Sequence, residues 1–310
     1  MHPLIAIVGP TASGKSELAL FLAERFSGEI VNYDSVQIFR HLNIGTAKPT
    51  LEEQGRVPHH MIDIREPAEL FTAGDYQREA RRVLEEIRRR GKLPILAGGT
   101  GLYLRALTEG LFNGPARSLY WRNRLDVTAE RKGREYLHRV LSRLDPVAAS
   151  RIAERDRPKI IRALEVRLET GKALSDHLGE KPRAPLTGFK LCFLGLNPPR
   201  EELYRRIDER VRRMFERGLV EEVRQLLAKG ISPGVKPFEA IGYRHVLAEL
   251  DSCNQWEQTI RIIQRDTRRY AKRQMTWFRR QADVSWFDGP GDSDDIKKKV
   301  HQLVQPFLNF

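Results

Sequence analysis

Apolar residues along this chain follow two rhythms. Unbroken runs at residues 4–8 (LIAIV), 93–97 (LPILA) and 191–194 (LCFL), with a shorter one inside 29–32 (EIVN), read as strands buried on both faces, the pattern of a parallel sheet. Residues 59–63 (HHMID) read as the entry to a further strand. Between the runs the spacing turns helical. Leu18, Leu22 and Phe26 share one face of a first helix that Ser27-Gly28 stops. Residues 75–90 make an amphipathic, charge-laced helix with solvated arginines, ended by Gly91. Alternation of this kind predicts an α/β fold, a parallel sheet flanked by helices.

From Asn113 to Pro185 no strand pattern occurs. The stretch is helical, basic and bounded by Gly/Pro-rich segments, Asn113-Gly114-Pro115 and Glu180-Lys181-Pro182-Arg183-Ala184-Pro185. It reads as an all-helical domain at 113–186, inserted into an α/β core at 1–112 and 187–310. Pro158 suits the first position of a helix capped by Asp156, and Trp121 suits core packing. After the sheet resumes, Asn197-Pro198-Pro199 leads into a helix bearing Arg205, Arg206, Arg210, Arg212 and Arg213. Residues 258–281 form a last long helix. Ile260, Ile263, Thr267, Tyr270, Gln274 and Trp277 make its packing face. Arg261, Arg265, Arg268, Lys272 and Arg279, widened by Arg269, Arg273 and Arg280, make a basic stripe.

The first apolar run ends in Gly9-Pro10-Thr11-Ala12-Ser13-Gly14-Lys15-Ser16, which matches the phosphate-loop pattern G-x-x-x-x-G-K-S/T, and a helix starts at its last residue. The glycines let backbone N–H groups close on a polyphosphate, and the helix adds the positive end of its dipole. Lys15 supplies a point charge and the Ser16 hydroxyl suits Mg²⁺. The sheet is therefore P-loop NTPase-like. Ligands of such sheets collect beyond the carboxyl ends of the strands. Asp34, after the second run, and Thr100, in the glycine turn after the third, either face that crevice or cap a turn or helix. The run ending at Ala97 lacks the acidic residue that many phosphate-loop enzymes use to hold Mg²⁺ through water, which argues against an ordinary ATPase. One or two of the 205–213 arginines could close over a phosphate. His59 and His60 have no partners at ligand spacing and read as structural.

Charge adds a direction. With 54 Lys+Arg against 41 Asp+Glu the chain carries +13, which suits a polyanionic partner if the excess is concentrated. A solvated helix face normally mixes signs, whereas the last helix carries one sign over about 30 Å, fitting a nucleic-acid backbone. No apolar run reaches the roughly 18 residues of a membrane span. The first strand follows the N-terminus at once, leaving no room for a signal peptide, and Cys192 and Cys253 read as unpaired thiols in a reducing cytosol.

In order, these motifs resemble the tRNA dimethylallyltransferases, which prenylate tRNA adenosine. The resemblance covers nearly the whole chain: G-P-T-A-S-G-K-S, D-S-V-Q-I-F, I-G-T-A-K-P, H-H-M-I-D-I, A-G-G-T-G-L-Y, I-I-R-A-L-E-V, the R-x-x-x-R-V helix running to Gly218-Leu219, A-I-G-Y-R and K-R-Q-M-T-W-F-R. The phosphate loop is widely shared; D-S-V-Q, A-G-G-T-G-L-Y and R-Q-M-T-W together are specific. Phe39 stands where the family often has tyrosine, and the zinc-finger extension of eukaryotic members is missing, so the bacterial form is the one resembled.

The resemblance implies transfer of a dimethylallyl group from dimethylallyl diphosphate to N6 of the adenosine just 3′ of the anticodon, releasing diphosphate. The base would be flipped into a channel that the donor enters from the other side. The resemblance implies catalysis by Asp34, as general base, with Thr100 and Lys15. Diphosphate or nucleotide binding falls to Gly9, Pro10, Thr11, Ala12, Ser13, Gly14, Lys15, Ser16 and Arg210, with Mg²⁺ on Ser16. Contact with tRNA falls to Asp34, Ser35, Val36, Gln37 and Thr100, to Arg122, Pro158, Lys159, Ile160, Ile161 and Arg162 of the insertion, and to Arg244, Arg268, Lys272, Arg273 and Arg279. The expected partners are the tRNA anticodon stem–loop and the diphosphate donor; the chain is expected to be a cytoplasmic monomer away from membranes. Two rivals stay open on the residues alone. A small-molecule kinase, marked by ATP consumption without RNA, would leave the basic stripe and the insertion without a task. A non-catalytic RNA-binding protein would grip tRNA without needing a diphosphate donor.

Overall fold

The computed structural model describes residues 1–112, 114–179, 184–250 and 255–308. Cys253, Asn113 and residues 180–183 of the expected boundaries lie outside the described residues. The chain divides into two compact units, Met1–Thr108 with Leu186–Phe310, and Glu109–Pro185.

In the first unit, six strands among the described residues form one parallel sheet: β1 (His2–Val8), β2 (Gly28–Asn32), β3 (His59–His60), β4 (Leu93–Ala97), β5 (Phe189–Leu196) and β6 (Val284–Phe287), in the order β3-β2-β4-β1-β5-β6. Ile5 of β1 lies beside Ile95 of β4 and Cys192 of β5. The unbroken apolar runs have a simple cause. Successive side chains point to opposite faces, so Leu4, Ala6 and Val8 enter one core while Ile5 and Ile7 enter the other. The first core is covered by α3 (Ala73–Arg89) and α4 (Gly101–Thr108), the second by α1 (Lys15–Arg25) and α14 (Asp294–Leu308). Helix α2 (Leu51–Arg56) begins at a capping box, in which Thr50 and Glu53 satisfy each other's backbone N–H groups. The rest of this unit is helical: α10 (Arg200–Glu216), α11 (Leu219–Ala228), a 3₁₀ turn (Lys236–Glu239), α12 (Tyr243–Leu250) and α13 (Trp256–Phe278).

Among its described residues the second unit holds helices and no strand: α5 (Leu119–Lys132), α6 (Arg134–Leu144), α7 (Pro146–Arg151), α8 (Arg157–Thr170) and α9 (Leu174–Gly179). Asp156 caps α8 as expected, but Arg157 takes its first position and Pro158 the second. Leu125, Leu137, Leu141, Ile160, Ile161 and Leu164 are among its core residues. Trp121 is not: it is half-buried and packs edge-on to exposed Tyr120 at 4.9 Å.

Among the described residues no helix is long and apolar enough to cross a membrane. Cys192 is a free thiol, and burial pushes its pKa up to about 11.

Candidate active site

Strand β1 delivers the phosphate loop and α1 continues it. Gly14 stands before α1 in the left-handed region, at φ 82°, and a Cβ there would meet the Gly291 nitrogen at 2.6 Å, so only glycine fits. The Gly291 N–H in turn donates to the Ser13 carbonyl at 2.9 Å, bracing the loop from the segment after β6. The buried Lys15 ammonium donates to the carbonyls of Gly9 (3.0 Å) and Pro10 (2.6 Å). Burial is the chief cause of its pKa falling to about 7; the Arg210 guanidinium lowers it further, against the pull of Asp34 and Glu17. Thr11, Ala12, Gly14, Lys15 and Ser16 line a cavity of about 780 Å³. Gly9, Pro10 and Ser13 are buried and take no part in the lining.

Asp34 lies just past β2, on the same cavity wall. Its two carboxylate oxygens have different surroundings. Oδ1 accepts from the N–H groups of Val36 (2.9 Å) and Gln37 (3.3 Å), closing a turn. Oδ2 faces the glycine turn after β4, where a Cβ on Gly99 would come within 3.1 Å of it. The turn-capping reading thus holds for one oxygen and leaves the other facing Gly99. Thr100 departs from expectation. Its hydroxyl accepts from the Ser35 N–H (2.9 Å) and donates to Ser35 Oγ (3.0 Å). Thr100 and Ser35 therefore tie the ends of β4 and β2 together, and neither they nor Val36 line the cavity. Gln37 does, and its amide holds the opposite wall by donating to the carbonyls of Thr46 (3.1 Å) and Ala47 (3.2 Å).

Helix α10 supplies the basic wall. Arg206 is committed to the loop itself, donating to the Ala12 carbonyl and to Asp292, both at 2.9 Å. Arg210 faces the cavity with a single long contact to the Thr46 carbonyl, 3.5 Å. Helix α13 supplies a clamp. Gln274, 5% exposed, accepts from the Thr11 N–H (2.8 Å) and donates to the Gly99 carbonyl (2.9 Å). It thereby joins the phosphate loop to the glycine turn, and Tyr270 adds a bond to the same carbonyl at 3.2 Å. Among the described residues no group of three His, Cys, Asp or Glu side chains could hold a metal. His60 pairs with Glu29 at 2.6 Å and His59 bonds to the Val57 carbonyl at 2.8 Å, the structural roles expected of them.

A model of the IPP transferase family matches residues 37–281. The chain belongs to the IPP transferase family. A tRNA dimethylallyltransferase of Solibacter usitatus is 51% identical over 99% of this chain and 99% of its own length. That of Geobacter metallireducens is 49% identical over 96% of both chains. Among solved structures, the tRNA isopentenylpyrophosphate transferase of Bacillus halodurans aligns with TM-score 0.73 and 39% identity, covering 100% of this chain and 97% of that one. A eukaryotic dimethylallyltransferase acting on tRNA aligns with TM-score 0.81 and 29% identity, over 100% of this chain and 80% of that one. Bacterial tRNA dimethylallyltransferases thus match it along nearly the whole of both chains.

In this transferase the residues expected to touch RNA fall into two groups. Lys272 and Arg273 are exposed on α13 and Arg279 just past its end, and Pro158 and Lys159 are exposed on α8, where Lys159 pairs with Asp156. The others are engaged elsewhere. Arg122 and Arg162 both bind the carboxylate of Glu165, which is 0% exposed, at 2.9 and 2.7 Å. Ile160 and Ile161 are core residues, so their side chains are withdrawn from any RNA surface. Arg268 pairs with Asp208 at 3.1 Å and lies over the Tyr204 ring. Arg244 pairs with Asp266 at 3.0 Å, as does Arg265 at 3.3 Å. The basic stripe is therefore interrupted by carboxylates on α10 and α13 itself.

Two residues organise the site in ways that spacing does not reveal. Gln274 belongs to the R-Q-M-T-W motif, but its helical periodicity predicts only packing. Glu222 of α11 sat in an ordinary helical pattern, yet its carboxylate accepts from the N–H groups of Asn43, Ile44 and Gly45 and from the Tyr243 hydroxyl, holding the I-G-T-A-K-P loop against the cavity. Substitution Gln274→Leu leaves the Thr11 N–H without its partner and the Gly99 carbonyl with only the Tyr270 hydroxyl, costing about 1–3 kcal/mol for the unsatisfied donor. The expected result is a lowered melting temperature and a several-fold higher KM for the diphosphate donor, measured by thermal unfolding and initial rates; an unchanged KM would remove Gln274 from the donor site.

Proposed function

We propose that this transferase moves a dimethylallyl group from dimethylallyl diphosphate to N6 of the adenosine adjacent to the 3′ side of the tRNA anticodon, releasing diphosphate. The observation that carries this reading is that one cavity is lined by the phosphate loop with Lys15, by Arg210 and by Asp34. A phosphate loop holds a diphosphate as readily as the end of a nucleotide. As the allylic C–O bond breaks, charge grows on the bridging oxygen, and the Lys15 ammonium, the loop amides and the Arg210 guanidinium are the groups that would stabilise it. As the N–C bond forms, the Asp34 carboxylate takes a proton from the amine, leaving the prenylated base neutral. Thr100 acts through Ser35, fixing the turn that carries Asp34.

The side chains present suit Mg²⁺ in part. Ser16 offers an exposed hydroxyl beside Lys15, and the remaining positions would fall to the donor's own oxygens and water. A bound Mg²⁺ would add Lewis-acid neutralisation of the departing diphosphate. The anticodon stem–loop would be held by exposed Lys272, Arg273 and Arg279, and by the first turn of α8 in the helical unit. We propose that the chain works as a cytoplasmic monomer. Family membership leaves no ground for the kinase or the non-catalytic RNA binder.

The test is nucleoside mass spectrometry of tRNA incubated with the chain, dimethylallyl diphosphate and Mg²⁺. A prenyl mass added to adenosine is expected; ATP-dependent phosphorylation of a small molecule in its place would overturn the reading. A further outcome concerns the grip. Lys272→Ala with Arg279→Ala should weaken tRNA binding at every salt concentration and lower the salt slope by about one per lost phosphate contact, with donor binding intact. Arg268→Ala should do less, because its charge already faces Asp208. Titrations at several salt concentrations check both.

A further inference from the structure

Helix α10 brings more positive charge to the cavity than one diphosphate uses. Arg206, Arg210, Arg213 and Arg217 recur at spacings of four, three and four, one face of a helix, and all line the cavity. At helical rise the row runs about 16 Å outward from the phosphate loop. Sorting the lining cations by partner separates two kinds. Arg206 is paired with Asp292, Arg205 with Glu209, Lys48 with Asp63 and Arg56 with Glu24. Lys15, Arg210, Arg213 and Arg217 have no ion pair among the described residues.

Lys15 and Arg210 sit at the inner end, against the loop, and with the loop amides they match one bound diphosphate. Arg213 and Arg217 lie one and two turns further out, with no ion pair among the described residues. The carboxylates of the lining are placed otherwise. Glu209 is held by Arg205, Glu53 accepts from the N–H and hydroxyl of Thr50 at 2.7 and 2.9 Å, Glu17 acts on Lys15 and Arg210 at the inner end, and Glu52 makes no ion pair among the described residues. Burial is the chief cause that disfavours the charged form of Arg210; Glu17 and Asp34 oppose it, and the nearby Arg213 adds to it. Like charges lined up in one cavity cost free energy in the empty protein, and an anion offsets that cost when it enters.

We infer that Arg213 and Arg217 form a second, outer anion site in the same cavity, which takes a diphosphate group on its way to or from the phosphate loop. The ligand class is a diphosphate, as the donor's headgroup or as the released product. Guanidinium forks pair with phosphate oxygens through parallel N–H bonds, and two of them a turn apart suit adjacent phosphoryl groups. This rests on the reading of the phosphate loop as the inner diphosphate site, and the test separates the two.

The experiment is calorimetric titration of the full chain with inorganic diphosphate at fixed Mg²⁺. Three proteins are compared: the parent, Lys15→Ala, and the double variant Arg213→Gln with Arg217→Gln. The parent should show a tight and a weak class of site. Lys15→Ala should lose the tight class and keep the weak one. The double variant should keep the tight class, lose the weak one, and show a several-fold higher KM for the donor at unchanged kcat. A parent with one class of site, unaltered in the double variant, overturns the outer site and leaves the inner one standing. Loss of tight binding in no variant would instead overturn the phosphate-loop reading. If the double variant keeps both diphosphate classes but loses tRNA affinity with a shallower salt slope, the two arginines serve RNA phosphates, and the proposal is wrong. Both positions are exposed, so folding is not at risk from either substitution.

Discussion

Asp34→Asn should slow single-turnover prenyl transfer by about 10²–10⁴-fold at saturating tRNA and donor, the usual cost of losing a general base. The geometry makes this substitution informative. The turn at residues 34–37 needs one acceptor, Oδ1, for the N–H groups of Val36 and Gln37. An asparagine oxygen can fill that role, so the local backbone is kept. Oδ2 is the atom replaced, and with it goes the basicity on the side facing the Gly99 turn. Asn32 supports the arrangement from below, its Oδ1 accepting from the Asp34 N–H at 3.1 Å and its amide donating to the Met61 carbonyl at 3.0 Å. Melting temperature and tRNA affinity should change little. A rate within a few-fold of the parent would mean that Asp34 is a turn residue and that the proton leaves to water after the bond has formed.

The second large effect belongs to Lys15. Replacing it with alanine should cost on the order of 2–4 kcal/mol in transition-state stabilisation, read as a fall in kcat/KM for the donor. Its environment adds a pH signature. Burial and Arg210 bring the pKa of the free protein's Lys15 down to about 7. A bound diphosphate favours the ammonium and raises that pKa again. Binding above pH 7 must therefore take up a proton, and affinity must fall as pH rises from about 7, by up to tenfold per unit, until the bound-state pKa is reached. Below pH 7 the lysine is already charged and this dependence vanishes. Titration in buffers of different ionisation heat measures the proton uptake. In Lys15→Ala the uptake should drop to that of the ligand alone, and an unchanged uptake would assign the proton to another group.

Both predictions concern residues that the sequence alone could single out, because each sits where local chemistry is stereotyped. A phosphate loop is eight consecutive residues after an apolar run, and its function follows from backbone amides and one lysine that are neighbours in the chain. Asp34 was legible for a related reason: strand ends in such sheets point to one edge. The strands were legible because burial on both faces leaves an unbroken apolar run. The helical stretch between the third and fourth apolar runs was legible because strand patterns stop there.

What the chain could not show by itself is how charges pair across distance. Arg122, Arg162, Arg244 and Arg268 look in sequence like free cations; each meets a carboxylate, the first two sharing the buried Glu165. Thr100 and Ser35 are 65 residues apart, and only the adjacency of β2 and β4 lets one hydroxyl satisfy the other. Gln274 follows the phosphate loop by 263 residues and Glu222 follows the I-G-T loop by about 180, so neither could be recognised from spacing. Sequence determined the elements and the anion-binding loop, because periodicity and backbone geometry act over a few residues. The tertiary structure decided which polar groups are already satisfied, because burial drives most buried donors and acceptors to find a partner wherever in the chain it lies.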